Sequence, residues 1–417
     1  MAICNMCKGA PSSSALWEQK AMCIQRVELA TDYTAYVEYS DTPMPKKTLT
    51  YVSHEASRTG APLFLYNALS RMNPIDWDQQ VLLLRDGSLK KSFADLHPTR
   101  VYKEFWWKAL CHTKKTPDLY YLNSHSYSFL HQAQQEGVPA LCHVHEVPLS
   151  FAHESPETLE LLRTYPLSYL AVSRYVENML VSMGIERKKI RYCPSGIDVV
   201  HWKRRSSGEK LRHKIGIPSD AIVIGMSGQV VSLKGVDIWI EMAKMLTKNH
   251  PEKKWHFVWV GGVSKYEPDY LQMMQQEVQD AGLSQCIHFV GEQRDPRSYY
   301  EVFDIFTLTS RMESLSLVCL ENAMMGTPVI AFSAAGGPQE FGNHGFVELV
   351  QDMNAQFMVN AVLSMHEDLK RQRELQEKAA IIIPQMYSID TSVSTMKDEI
   401  QRVFSDVQLL KMHCDEY

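Results

Sequence analysis

Glu313 and Glu321 stand eight residues apart in the densest group of reactive side chains, Ser310-Arg-Met-Glu313-Ser-Leu-Ser-Leu-Val-Cys-Leu-Glu321-Asn-Ala-Met-Met-Gly326-Thr-Pro328-Val-Ile. Glu313 falls in a loop after a strand, and Glu321 within the helix that follows. A helix starting near Ser316 would turn its free amide donors and positive dipole end toward a ligand, a setting that suits a diphosphate. The two carboxylates could then accept hydrogen bonds from sugar and ribose hydroxyls. Leu320 and Ala323 read as buried, so a carboxylate at Glu321 needs a partner. A second group, Ser227-Gly228-Gln229-Val-Val-Ser-Leu-Lys234-Gly235, follows a strand and opens a helix. Its small residues admit a ligand close to the backbone, and Lys234 supplies a point charge for phosphate. A third, Ser53-His54-Glu55-Ala-Ser-Arg58-Thr59-Gly60-Ala61-Pro62, turns tightly into a helix start. The fourth is His143-Val-His145-Glu146 at the end of a strand, where His143 and His145 share a face and Glu146 takes the other. The pair could equally be packed structural histidines, and no third ligand at usual spacing supports a metal there.

These groups need elements to hold them. Apolar runs bounded by Asp, Gly and Pro predict strands at 48–53, 80–84, 119–122, 140–144 and 168–172, with helices at 63–72, 125–136, 156–165 and 174–183 between them. A polar, charged segment at 203–210 reads as a linker. The alternation then restarts, with strands at 221–226, 256–260, 287–290, 305–308 and 328–332, and helices at 235–248, 267–281, 317–325 and 353–375. An amphipathic stretch at 391–411 follows Pro384. Strand–helix alternation of this kind predicts α/β structure with parallel sheets covered on both faces. The reading is an extension at 1–46, one doubly wound unit at 47–200, a second at 201–390, and a last helix at 391–417 packing back toward the first unit. Ligands of such sheets sit at the carboxyl ends of strands near a topological switch point, so two facing units predict a cleft between them.

The 417 residues suit two or three domains of roughly 100–200 residues each. Lysine and arginine total 43 against 48 acids, a formal charge of −5, and neither half carries the positive excess of a nucleic-acid binder. No run reaches the roughly 18 apolar residues of a membrane span. The amino end lacks the pattern of a secretory signal, and nine scattered cysteines suit a reducing compartment, so the expected location is cytoplasmic. Residues 100–115 hold five basic residues and one acid around Trp106 and Trp107, which suits peripheral contact with an anionic membrane or, equally, a surface helix with its tryptophans buried. Asp76-Trp-Asp78 precedes a strand and reads as a solvated turn. Cys4-x-x-Cys7 lacks a second pair for zinc. No Gly-x-Gly-x-x-Gly follows a strand, against a nicotinamide dehydrogenase.

The order of these groups resembles the GT-B-fold retaining glycosyltransferases of family four, over about residues 47–400. The Glu313-x7-Glu321 pattern with Gly326-Thr-Pro328 behind it is the most specific part. Ala171-Val-Ser-Arg-Tyr-Val, Pro194-Ser-Gly-Ile-Asp198, Val260-Gly261-Gly262, Phe289-Val-Gly291 and Gly336-Gly337-Pro338-Gln-Glu340 support it.

The resemblance implies two Rossmann-like units facing across a cleft and transfer of a sugar from a UDP- or GDP-sugar to a glycan or lipid-linked acceptor. It implies no cofactor and no metal. Glu313 would hold donor-sugar hydroxyls and Glu321 the ribose. Lys234 would neutralise the diphosphate, with the amides of Leu317 and Val318 and the backbone at Gly228 and Gly261 close by. His145 would sit at the reacting centre, Gly60 would let the first loop approach the phosphates, and His54, Arg58 and Thr59 would face the acceptor. Two positions depart from the family: Gln229 stands where arginine is usual, and Ser316 where glycine is usual. Arg58 or Arg311 could supply the missing charge. Same-face attack with the departing phosphate taking the acceptor's proton would retain the anomeric configuration, so no nucleophile is nominated. The alternatives are a nucleotide-sugar epimerase of the same fold or a binding module without turnover.

Overall fold

The computed structural model describes residues 46–72, 77–102 and 116–415. Apart from Lys46, the 1–46 extension lies outside them, as do Asp76 and most of the 100–115 stretch. The first sheet contains β1 (Thr48–Ser53), β2 (Asp78–Leu83), β3 (Thr99–Val101), β4 (Leu119–Asn123), β5 (Ala140–Val144), β6 (Ser168–Ala171) and β7 (Ile190–Tyr192) in the order β3-β2-β1-β4-β5-β6-β7. The second contains β8 (Ile222–Ser227), β9 (Trp255–Val260), β10 (Ile287–Phe289), β11 (Ile305–Leu308), β12 (Val329–Phe332) and β13 (Glu348–Val350) in the order β10-β9-β8-β11-β12-β13. All the strand pairings are parallel. The order reverses between β1 and β4 in one sheet and between β8 and β11 in the other. Loops leaving those strands therefore splay apart and open a crevice at each switch point.

Side-chain alternation divides the first sheet between two cores. Tyr120 and Leu122 face one, with Leu130, Leu162, Val176 and Leu180 from covering helices. Leu119 and Tyr121 face the other, with Phe64 and Leu65 of helix Gly60–Leu69. The last helix, Ile389–Asp415, closes that second core. Ile389, Val393, Met396, Ile400 and Val403 recur at helical spacing and are all buried in it. Each fully buried apolar side chain of this size stabilises by roughly 1.5–3 kcal/mol, enough to hold a helix that is distant in sequence on the first sheet.

The chain crosses between the units twice, side by side. Ile197 N–H donates to Tyr387 O at 2.9 Å and Ile389 N–H to Ile197 O at 2.8 Å. The polar 203–210 segment is docked on the second unit: Glu301 accepts from Arg205 N at 2.7 Å and Ser206 N at 3.1 Å, and Arg204 donates to Thr327 Oγ1 at 2.9 Å.

Several element readings need correction, and helices Lys90–Leu96, Glu209–Lys214 and Pro338–His344 fall where none is read. The single helix read at 353–375 is two, Ala355–Glu367 and Leu369–Met386, because the Asp368 carboxylate accepts from Arg371 N at 2.8 Å and starts a new helix. The stretch 125–136 opens as a 3₁₀ turn before helix Leu130–Glu136. Strands β3, β7 and β13, each three residues long, fall where none is read.

Candidate functional site

Most of the predicted residues lie just past the carboxyl ends of β1, β5, β8, β9 and β11. Lys234 and Gly235 lie in the loop after β8. Glu313 lies in the loop after β11, and Glu321 in helix Leu317–Met324 beyond it. Lys234 Nζ donates to Glu313 Oε1 at 2.6 Å, and both side chains are largely buried. Backbone geometry fixes this approach. Gly235 has φ +66, and a Cβ there would stand 2.0 Å from Thr309 O, so only glycine lets the loop close against β11. Glu313 is held in turn by Ala335 O, which accepts its N–H at 2.7 Å, and by Gly337 N, which donates to its carbonyl at 2.9 Å.

Gly228 and Gly261 are in mutual contact: a Cβ on Gly261 would lie 1.8 Å from Gly228 O. Gln229 beside them is exposed. Arg311 is committed elsewhere, its guanidinium donating to both Asp237 oxygens at 2.9 and 2.6 Å. Ser316 is in the left-handed region at φ +81, the conformation glycine adopts freely and a side chain resists. The helix after it leaves the first-turn amides of Leu317 and Val318 without intrahelical acceptors, as every helix start does.

Glu321 is partly buried between Leu320 and Ala323, which are buried. Burial pushes its carboxyl up to about 8; the nearby Tyr300 hydroxyl opposes this and Asp295 adds to it. Tyr300 itself donates to Ser227 Oγ at 2.7 Å, joining Glu321's surroundings to the end of β8.

On the first unit, His143 and His145 lie side by side with ring centroids 4.3 Å apart and planes tilted by 42°, and Phe64 packs against both. Tyr121 hydroxyl contacts His143 Nδ1 at 2.5 Å, and Ser195 Oγ contacts His145 Nδ1 at 3.3 Å. Nε2 of His145 and Nδ1 of His54 are buried with no partner among the described residues. Burial holds all three imidazoles neutral: His54 is lowered to about 4, His143 to about 3, and His145 well below its ordinary value with its histidine neighbours adding to the effect.

Glu146 is fully enclosed by donors, with the His125 ring nitrogen 3.9 Å from Oε1. It accepts from Ser124 Oγ and His125 N, each at 2.6 Å, from His145 N at 2.8 Å and from the Tyr127 hydroxyl. It thereby joins the β4 and β5 loops and aims His145. Its position immediately past a strand end was the one available sign of this role.

The loop after β1 meets the second unit. Lys265 Nζ donates to Glu55 Oε2 at 3.2 Å, and Arg58 to Arg294 O at 2.7 Å. Burial pushes Glu55 up, but hydrogen bonds from Ser57 and Lys265 outweigh it and leave the carboxyl low. Arg58 also lies 4.0 Å from Glu292 Oε1, so its guanidinium is held on the second unit by a carbonyl and a carboxylate. Thr59 exchanges a hydroxyl contact with Ser57 at 2.8 Å, and Gly60 faces open space. Sequence reasoning passed over Lys265, which carries no local signal. A hollow of about 510 Å³ on the first unit is lined by Phe151, Leu159, Tyr175 and Met179. Among the described residues no group of three or more His, Cys, Asp or Glu is placed to hold a metal ion, and no helix is long and apolar enough to cross a membrane.

The chain is similar to known proteins in sequence and in fold. Residues 207–381 match the family model for glycosyl transferases group 1. The D-inositol 3-phosphate glycosyltransferase of Corynebacterium jeikeium (strain K411) is 33% identical over 168 residues, 39% of this chain and 40% of that protein. Mannosylfructose-phosphate synthase of Agrobacterium fabrum is 23% identical over 270 residues, 61% of this chain and 57% of that protein. The chain spans about half the length, or less, of the curated relatives it matches. The solved structure of Anabaena HepE in complex with UDP and glucose superposes with a TM-score of 0.75 at 22% identity, covering 86% of this chain and 100% of that one. Sucrose-phosphate synthase from Thermosynechococcus elongatus gives a TM-score of 0.69 at 17% identity, covering 87% and 100%. The architecture is therefore GT-B, two parallel-sheet α/β units.

Proposed function

We propose that the protein is a retaining glycosyltransferase that moves a sugar from a nucleoside-diphosphate donor to a hydroxyl of a glycan, lipid-linked glycan or other sugar acceptor. The observation that carries this reading is the Lys234–Glu313 contact at the second sheet's switch point, beside a helix start. A diphosphate at that helix start meets the first-turn amides and the Lys234 ammonium, which together stabilise charge on the leaving group. Glu313 then turns to hydroxyls of the donor sugar, and Glu321 accepts from the ribose. His145, neutral and with Nε2 unpartnered, sits at the reacting centre as a hydrogen-bonding group rather than a charged acid. The acceptor enters from the first unit, along the loop carrying His54, Arg58 and Thr59. It attacks the face the diphosphate leaves, and a departing phosphate oxygen takes its proton.

Uridine is the first base to test, because neighbours of this fold were solved with UDP and with UDP-glucose. Thermal shift against UDP, GDP and ADP identifies the base, since a ligand of the native state raises Tm. Incubation with the matching nucleotide sugars should then release nucleotide only with an acceptor present. No shift with any nucleotide, or sugar inversion on an unreacted donor, refutes the reading.

A further inference from the structure

Glu340 is a buried carboxylate on which parts of both units converge. Its own helix, Pro338–His344, starts directly behind the Glu313 loop: Gly336 pairs with Glu313 as an isolated parallel bridge, and a Cβ on Gly337 would stand 2.4 Å from Ser314 O. The carboxylate of Glu340 and the backbone of Glu313 are therefore tied to one short stretch of chain. The first unit plugs in there with the start of helix Arg174–Ser182. Ser173 Oγ caps the helix by accepting from Val176 N at 3.1 Å and donates across to Ser314 O at 2.6 Å. The next amide, Arg174 N, donates to Glu340 Oε2 at 2.8 Å.

Two tyrosines complete the set. Tyr192, at the end of β7, and Tyr387, at the double crossing between units, both donate to Glu340 Oε1, the latter at 2.9 Å. Burial, reinforced by the Glu340 carboxylate, pushes both phenols up, so they stay protonated donors. At the crossing itself a Cβ on Gly196 would stand 2.2 Å from Ser388 O, so the two passes of chain are closely paired. Burying an acid costs more than burying an apolar side chain of similar size. What the acid adds is direction: hydrogen bonds to a helix start, a strand end and the crossing specify one mutual orientation of the two units.

We propose that Glu340 is a positioning residue that sets the angle between the two units, and through it the placement of Glu313 opposite His145. The kinetic part of the test rests on the transferase reading, and the exchange part does not. Glu340→Gln keeps the shape but replaces one acceptor oxygen with an amide nitrogen, so it cannot accept from Arg174 N and from the two tyrosine hydroxyls at once. Tyr192→Phe removes one first-unit donor and leaves Glu340 intact. With the donor that turns over in the wild type, Glu340→Gln should lower kcat ~10–100-fold, as displaced catalytic geometry does. The Kd for UDP should stay within about twofold, because the groups proposed to grip the nucleotide, Lys234, Glu321 and the helix start at Leu317, lie on the second unit. Hydrogen–deuterium exchange should rise at 173–176, 190–197 and 386–389 while 222–227 and 255–260 keep their protection. Tyr192→Phe should change both readouts in the same direction and by less. Wild-type kcat in Glu340→Gln, unchanged exchange at the crossing, or a uniform rise across the second unit with lost UDP binding each overturns the proposal. If the wild type transfers no sugar from any donor, the transferase reading fails and the exchange pattern still decides the role of Glu340.

Discussion

Lys234 Nζ and Glu313 Oε1 are 2.6 Å apart, although 79 residues separate them in the chain. The contact joins the loops leaving β8 and β11, the two strands that flank the switch point of the second sheet. It keeps an ammonium and a carboxylate paired in a largely desolvated place. On the proposed reading, a diphosphate there would compete with Glu313 for Lys234 and leave the carboxylate to bind sugar hydroxyls.

Lys234→Ala should cut kcat/KM by about 10²–10³, the usual effect of removing one charge-stabilising donor, with a much smaller change in Tm. Steady-state kinetics beside thermal unfolding checks this. Wild-type rates in the variant would remove Lys234 from the mechanism.

On the proposed reading, Glu321 should make nucleotide affinity pH-dependent. Its carboxyl is raised to about 8 in the free protein, and ribose hydroxyls donate best to the ionised form. UDP binding should therefore tighten as pH rises from 6 toward 8, by at most about tenfold per unit, and level off above that value. Glu321→Ala should weaken UDP binding, and Glu321→Gln should flatten the profile. The same group opposes folding in that range. Its folded-state pKa lies above the unfolded one, so its contribution is full at low pH and is lost as pH rises through the folded value. Glu321→Gln should then be more stable than wild type near pH 8. Calorimetric titrations and melting curves across pH 6–9 test both signs.

The imidazoles of His54, His143 and His145 are held neutral by burial, with lowered pKa values. The kcat/KM profile should therefore show no limb near pH 6.5 arising from His145. His145→Ala should lower the rate at every pH without changing the shape of the curve. A limb near pH 6.5 that disappears in the variant would contradict this.

Ser316 carries a side chain at φ +81. Ser316→Gly should stabilise the protein by about 1 kcal/mol by relieving that strain, read by urea unfolding. The Leu317 and Val318 amides remain in place, so UDP affinity should be unchanged. Gly235→Ala should do the reverse, because its Cβ would meet Thr309 O.

Much of this site was legible because its signals are local. Apolar runs such as Leu119–Leu122 announce buried parallel strands, and period-two spacing put His143 and His145 on one side before any coordinates did. The resemblance carried by Glu313, Glu321 and Lys234 located both loops. The Asp368 cap inside an apolar-periodic stretch was a readable break that the helical pattern masked. Three-residue edge strands such as β3 and β7 carry too few residues for any period to show.

By itself the sequence determined the alternation of elements, the parallel sheets and which loops bear reactive side chains, because those follow from hydropathy period and turn residues along neighbouring positions. Only the tertiary structure decided that Lys234 pairs with Glu313, that Arg311 is spent on Asp237, that Glu146 aims His145, and that Glu340 gathers Arg174, Tyr192 and Tyr387. Those contacts join residues distant in the chain. They depend on how loops leave neighbouring strands and on which backbones can approach within a glycine's reach, and neither is written in local spacing.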